Sequence, residues 1–175
     1  MLMQMLEAGG VAVLSDGLRG PDANNPRGYF ELERIKSLHR DADTSWLASG
    51  RGKAVKIVSH LLRYLPDHYS YRVIFMQRSL REVVASQDRM LDNLGRERGS
   101  VDEDRLMAAY DAHLASARSL LTSRPCFATL EVQYGHVVTA PAREAVRIAR
   151  FLGRDLDIAS MQHAVDPQLY RNRYP

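Results

Sequence analysis

The sequence contains a single cysteine, and this scarcity excludes two common ways of stabilising a protein. Cys126 has no partner for a disulfide bond within the chain, and one cysteine provides no cluster for structural zinc. No apolar run approaches the roughly 18 residues that a membrane-spanning helix needs. No basic run with interleaved aromatic residues indicates a nucleic-acid groove. We therefore expect a cytoplasmic protein that binds neither a membrane nor a nucleic acid.

The rest of the composition is typical of a folded domain. Of the 175 residues, 45% are hydrophobic and 26% are charged, and the formal net charge is +3. This length favours one domain, residues 1–175, with a substantial core. Arginine carries most of the positive charge, and its planar guanidinium group suits bidentate recognition of phosphate or sulfate. A solvated surface of mixed charges would give the same composition.

Apolar runs that alternate with amphipathic segments predict an α/β fold. The predicted strands are Val11–Leu14, Ala54–Val58, Tyr71–Met76 and Phe127–Val132. The predicted helices are Met1–Leu6, Tyr29–Arg40, Ser79–Leu94 with a capping box, Asp102–Thr122, and Pro141–Leu152 closed by Gly153. Near-continuous apolar strands are typical of parallel sheets buried on both faces. The sequence thus predicts a three-layer parallel sheet with helices on both faces.

The first predicted helix has a C-terminal signal, Gly9-Gly10, but no capping residue before Met1. A helix start leaves four backbone N–H groups that need partners. Two explanations stay open on this reasoning: the first turn frays at the surface, or a preceding segment is missing from the chain.

Polar residues follow the strand Tyr71–Met76 in a pattern that suits a phosphate. Arg78 lies at the strand end, and Ser86 follows two helical turns later. Ligands of open α/β sheets collect at the carboxyl ends of the strands. A guanidinium fork and a hydroxyl donor there could bind one phosphate together. The alternative is that Arg78 only covers the sheet edge and that Ser86 faces solvent.

The Arg-x7-Ser spacing after a hydrophobic strand resembles the 3′-phosphate-binding element of sulfotransferases that use 3′-phosphoadenosine 5′-phosphosulfate (PAPS). Three further blocks are similar to bacterial members of that family and occur in the same order. They are Met1–Gly10, Asn25–Glu31, and Leu130–Tyr134 followed by Pro141 and Ile148–Gly153. The resemblance covers nearly the whole chain. It implies a P-loop NTPase-like fold and transfer of a sulfuryl group from PAPS to a hydroxyl or amine, with no metal.

The resemblance has one gap. The family's Gly-rich phosphate loop, and the strand that leads into it, would precede Met1. That loop supplies backbone N–H donors to the 5′-phosphosulfate. We therefore expect a chain truncated at its N-terminus, with the first strand and the P-loop missing. A non-catalytic remnant or nucleotide-binding module is the alternative. A nucleotide kinase of related architecture is a second one, although it would need a P-loop and an acidic Mg²⁺ ligand.

The resemblance also suggests further site residues. His60 lies where cytosolic sulfotransferases carry a catalytic histidine, and Asp16 lies where tyrosylprotein-type members place a catalytic carboxylate. Either could take the acceptor's proton, and Glu31 is a third candidate. Tyr134 matches a tyrosine near the adenosine. The corresponding alternatives are an ordinary loop histidine, solvated carboxylates, and a tyrosine of the core or strand edge. No residue identifies the acceptor.

Overall fold

Two parallel strands form the centre of the fold. The computed structural model describes residues 1–22, 25, 28–84 and 102–167. Within these residues, strand β1 (Tyr71–Gln77) pairs with strand β2 (Phe127–Gln133). Tyr71 lies opposite Phe127 at one end of the pair, and Gln77 lies opposite Gln133 at the other. Both strands were predicted, and both extend slightly beyond the predicted apolar runs.

Helices account for most of the remaining regular structure. They are α1 (Leu2–Ala8), α2 (Glu33–Lys36), α3 (Glu103–Ser123), α4 (Tyr134–Thr139), α5 (Pro141–Leu152) and α6 (Ile158–His163). Two 3₁₀ helices cover Ser45–Gly50 and Ser59–Tyr64. Residues 80–84 are also helical, and the rest of the predicted helix that contains them lies outside the described residues.

Two of the helices that the structure describes, α3 and α5, begin and end close to their predicted bounds. The Asp102 side chain accepts a hydrogen bond from the backbone N–H of Asp104 and thereby caps α3. Helix α5 begins at Pro141 and ends at Gly153, whose φ of +63° suits a residue without a Cβ atom. Local chemistry therefore sets the bounds of both helices.

Each face of the strand pair is covered by a separate hydrophobic cluster. Val132 of β2 packs into one cluster with residues of α1, α5 and α6, including Met5, Ile148 and Met161. Phe75 of β1 packs into the other cluster with residues of α3 and of the second 3₁₀ helix. Alternate residues of a strand point to opposite faces, so both strands contribute to both clusters. The result is a mixed α/β fold with helices on both faces of a small parallel sheet.

The predicted strands Val11–Leu14 and Ala54–Val58 were wrong in extent. They form one isolated parallel bridge between Val13 and Ala54. The backbone N–H of Leu14 donates to the Ala54 carbonyl at 2.9 Å, and no further ladder is formed by the two segments. A short apolar run indicates a segment that is at least partly buried, but a strand also needs a partner along its length.

The predicted helix Tyr29–Arg40 was wrong in extent as well. Only α2, four residues long, is α-helical within it, and turns follow α2. Among the described residues, no helix combines the length and the apolar character that crossing a bilayer requires.

Candidate functional site

Arg78 and Tyr134 lie side by side at the carboxyl end of the sheet. Because Gln77 and Gln133 are opposite each other in the strand register, the residues that follow them leave the sheet at the same edge. The guanidinium carbon of Arg78 lies 4.8 Å from the centre of the Tyr134 ring, within the range of a cation–π contact. The structure thus brings together two residues predicted to bind the nucleotide, from positions 56 residues apart.

A buried carboxylate holds the Arg78 side chain in this position. The Nε atom of Arg78 lies 2.9 Å from Oε2 of Glu82, one helical turn further along the chain. Glu82 is only 5% exposed. A buried charge of this kind is costly without a partner of opposite sign, so the pair fixes the guanidinium group at the sheet edge.

Tyr134 remains a neutral phenol at physiological pH. Its partial burial raises the pKa of its hydroxyl group, the Arg78 charge opposes the shift, and the Glu82 charge adds to it. A neutral tyrosine offers a hydrogen-bond donor together with a flat aromatic face. Both features suit contact with a nucleotide.

Ser86, the predicted partner of Arg78, lies outside the described residues. Its convergence with Arg78 on one phosphate therefore stays a prediction.

His60 is exposed on the 3₁₀ helix Ser59–Tyr64. The residue before it anchors this helix: the Ser59 hydroxyl and Nε2 of His113 are 2.7 Å apart. This contact joins the 3₁₀ helix to α3 and fixes the backbone from which the His60 imidazole extends.

The course of α3 places this anchor near the carboxyl end of the sheet. Leu121, near the end of α3, shares a hydrophobic cluster with Phe127 at the start of β2. Arg118 lies one turn earlier, and its Nε atom is 3.2 Å from Oε1 of Glu131, further along β2. The helix therefore runs antiparallel to the strand. His113 lies about 7.5 Å beyond Arg118 along the helix axis, toward the edge where β1 and β2 end.

Asp16 connects its loop to the start of α2. One carboxylate oxygen accepts a hydrogen bond from the backbone N–H of Leu18 at 3.1 Å, and the other accepts from the backbone N–H of Glu33. The Glu33 N–H and then the Leu18 N–H lower the pKa of this carboxyl group, and the charge of Lys36 contributes. The ionised side chain therefore has a structural role, because it links its loop to the start of α2.

Glu31 lies among three basic side chains. Its oxygens are 3.0 Å from Nζ of Lys36, 3.3 Å from Nζ of Lys56 and 3.4 Å from a guanidinium nitrogen of Arg19. Partial burial opposes ionisation, but the hydrogen bonds from Lys36 and Lys56 outweigh it and lower the pKa of Glu31. The cluster ties the loop around Tyr29, whose backbone carbonyl also accepts from Lys56.

Sequence reasoning missed two residues that shape this region. Glu82 is the acidic residue of the capping box that predicts the start of the helix Ser79–Leu94, and a carboxylate four residues after Arg78 is also placed for a helical ion pair. His113 is a residue of the helix predicted over Asp102–Thr122, and the structure gives it a specific partner. No local signal connects it with Ser59, because the two residues are 54 positions apart.

Comparison of the chain with protein families, with curated proteins and with solved structures found no match. The arrangement of Arg78, Glu82 and Tyr134 is therefore the basis on which a function can be proposed.

Proposed function

We propose that this protein is sulfotransferase-like and binds the 3′-phosphoadenosine part of PAPS at the carboxyl end of β1 and β2. One observation carries the proposal: Arg78 and Tyr134, which directly follow two neighbouring parallel strands, meet where α/β sheets bind their ligands. The order of the sequence blocks described above supports the same nucleotide.

The chemistry of the three side chains suits a phosphate beside an adenosine. A guanidinium group has five N–H donors, and in Arg78 the Nε–H is directed to Glu82. This bond fixes the plane of the group, and a planar group held in place matches the oxygens of a phosphate. The Tyr134 ring then offers an aromatic surface and a phenolic donor beside it.

The proposal extends to the fold. Parallel strands with helices on both faces, and polar side chains at their carboxyl ends, are features of P-loop NTPase-like sheets. We propose that β1 and β2 belong to a sheet of that type.

His60 is the better candidate for the general base. Both carboxylate oxygens of Asp16 accept backbone hydrogen bonds, and its lowered pKa makes it a weak base. The exposed His60 lies next to the Ser59 anchor, near the carboxyl end of the sheet. In the proposed reaction, the acceptor oxygen or nitrogen forms a bond to sulfur and its proton passes to the His60 imidazole. The bond from sulfur to the phosphate oxygen breaks, and adenosine 3′,5′-bisphosphate leaves.

Calorimetric titration with adenosine 3′,5′-bisphosphate and with adenosine 5′-monophosphate tests the nucleotide site. We expect the bisphosphate to bind about tenfold or more tightly, because only it carries the 3′-phosphate that Arg78 would hold. Arg78→Lys keeps a positive charge beside Glu82 but removes the fork, so it should reduce this preference to about threefold or less. Arg72→Lys, at the opposite end of the same strand, is the matched control and should retain the preference.

Equal affinity of the wild-type protein for the two nucleotides would overturn the assignment. If Arg78→Lys still bound the bisphosphate about tenfold more tightly than the monophosphate, the role of Arg78 in holding the 3′-phosphate would be overturned. The protein could bind the bisphosphate and yet not convert PAPS to it when hydroxyl and amine acceptors are present. That result would instead support a nucleotide-binding module.

A further inference from the structure

A groove lies between the 3₁₀ helix Ser59–Tyr64 and α3. Its volume is about 450 Å³, within the range of sites that hold small organic molecules. None of the residues that line it is acidic. Its polar lining consists of hydroxyl, imidazole and guanidinium groups, from Ser59, Arg63, His113, Ser116, Ser119 and Ser123.

The charge in the groove belongs to Arg63. This residue is exposed, and its guanidinium group forms no ion pair with an acidic side chain in the part of the chain that the structure describes. Its backbone carbonyl accepts a hydrogen bond from Arg124, which fixes the main chain at this position. The local field is therefore positive, and an anion would be drawn to it.

Hydroxyl groups border the groove along one face of α3. Ser116 and Ser119 are three residues apart, so they project from the same side of the helix. Neither side chain bonds to another described residue. Ser123 differs, because its hydroxyl donates to the Leu120 carbonyl at 3.2 Å. Two serine donors thus lie in the same groove as the Arg63 guanidinium group.

The Ser59–His113 contact makes the groove a preformed feature. At 2.7 Å it ties the two walls together at one end, and at the other end Arg124 donates to the carbonyl of Leu65 at 2.6 Å. A site with fixed walls requires little ordering when a ligand binds. Between the polar groups, Ala117 and Leu120 provide an apolar floor.

We propose that this groove binds a small organic molecule carrying a phosphate or sulfate monoester. The oxyanion contacts Arg63 and the serine hydroxyls, and the organic part lies on Ala117 and Leu120. This site is separate from the proposed nucleotide site, because none of its lining residues belongs to the Arg78 cluster. It can therefore be tested whether or not the nucleotide assignment holds.

Nuclear magnetic resonance titration of the ¹⁵N-labelled protein with phenyl phosphate, inorganic phosphate and phenol tests the proposal. We expect saturable shifts of the backbone amides of Arg63, Ser116 and Leu120 with phenyl phosphate, and weaker or no binding of the other two probes. Arg63→Gln should weaken phenyl phosphate binding about fivefold, since an exposed guanidinium contact is worth less than a buried one. Arg105→Gln changes the same charge elsewhere on α3 and should have an effect of less than about twofold.

Three results would count against the proposal. Equal losses of affinity for phenyl phosphate in Arg63→Gln and Arg105→Gln would show that only general charge attraction is at work, and would overturn a specific site. Shifts confined to residues around Arg78 would assign the probe to the nucleotide site instead. If inorganic phosphate bound as tightly as phenyl phosphate, the groove would be a site for the free ion. The proposed contact of an organic group with Ala117 and Leu120 would then be overturned.

Discussion

Arg78 shows how neighbouring groups decide the role of a single side chain. Its position after an apolar strand was predicted from the sequence, and so was its involvement with Tyr134 in one site. Its orientation was not predicted, because that depends on the buried Glu82 and on the register that places Gln77 opposite Gln133. The same charged group without this ion pair could point into solvent.

Asp16 leads to a prediction at the same scale. Its carboxylate accepts two backbone hydrogen bonds that hold the loop in place. Asp16→Asn should therefore lower the melting temperature at pH 7. The pKa of Asp16 is lower in the folded protein than its usual value of 3.8. Its contribution to stability is therefore present above about pH 4 and is lost as the pH falls through the folded pKa.

Thermal unfolding followed by circular dichroism between pH 7 and pH 2 measures this dependence. The difference in melting temperature between the wild-type protein and Asp16→Asn should shrink toward the acidic end. Asp155→Asn, an exposed carboxylate for which the structure shows no such hydrogen bonds among the described residues, should change little at any pH. A difference that persists unchanged at pH 2 would show that the charge of Asp16 is not involved.

At the scale of elements, a glycine allows α1 to pack closely against α6. The sequence Gly9-Gly10 was interpreted as a helix stop, and Gly10, with a φ of +92°, does end the turn. Gly9 has a φ of −77°, which any residue can adopt, so its role is a different one. A Cβ atom added to it would lie 2.6 Å from Cγ of the fully buried Met161.

Gly9→Ala should therefore destabilise the protein by about 1 kcal/mol, at the low end for overpacking, because a methionine side chain can adjust. The double variant Gly9→Ala/Met161→Ala identifies the cause. If the clash is with Met161, the alanine at position 9 should cost almost nothing in the Met161→Ala background. Urea unfolding of the four proteins in this cycle gives the coupling energy, and a coupling near zero would contradict the interpretation.

At the scale of the whole molecule, two hydrophobic clusters share one pair of strands. Val132 belongs to the cluster that contains Ile148, whereas Phe75 belongs to the cluster on the opposite face. Disruption of one cluster therefore removes support from strands on which the other depends. We expect the two faces to unfold as one cooperative unit.

The only tryptophan provides a way to test this cooperativity. Trp46 packs against the cluster of Phe75, on the opposite face of the sheet from Ile148. Ile148→Ala should lower the free energy of unfolding by about 3 kcal/mol, because it leaves a cavity in a fully buried position. Urea unfolding followed by Trp46 fluorescence and by circular dichroism should show the same reduced midpoint. A fluorescence midpoint that stays at the wild-type value would show that the two faces unfold independently.

Local chemistry in the sequence was sufficient to predict the longer elements that the structure describes. Strands β1 and β2 follow from continuous apolar runs, and the bounds of α3 and α5 follow from Asp102, Pro141 and Gly153. The position of Arg78 after the first of these strands drew attention to it, whereas Tyr134 was suggested by the family resemblance, and a role for either residue in binding a nucleotide stays a prediction. These features depend on residues close together in the chain, which is where pattern and capping rules apply.

Only the tertiary structure decided the features that depend on distant partners. The run Ala54–Val58 looks like a strand, yet it makes a single bridge, because no segment among the described residues pairs with it along its length. Asp16 follows a predicted strand like a possible base, yet its carboxylate accepts a hydrogen bond from the N–H of Glu33, 17 residues away, and links the two segments. The Ser59–His113 contact joins the two walls of the groove across 54 positions. The sequence by itself determined the longer strands and helices and where polar groups follow the strands, whereas the packing of distant segments determined what those groups contact.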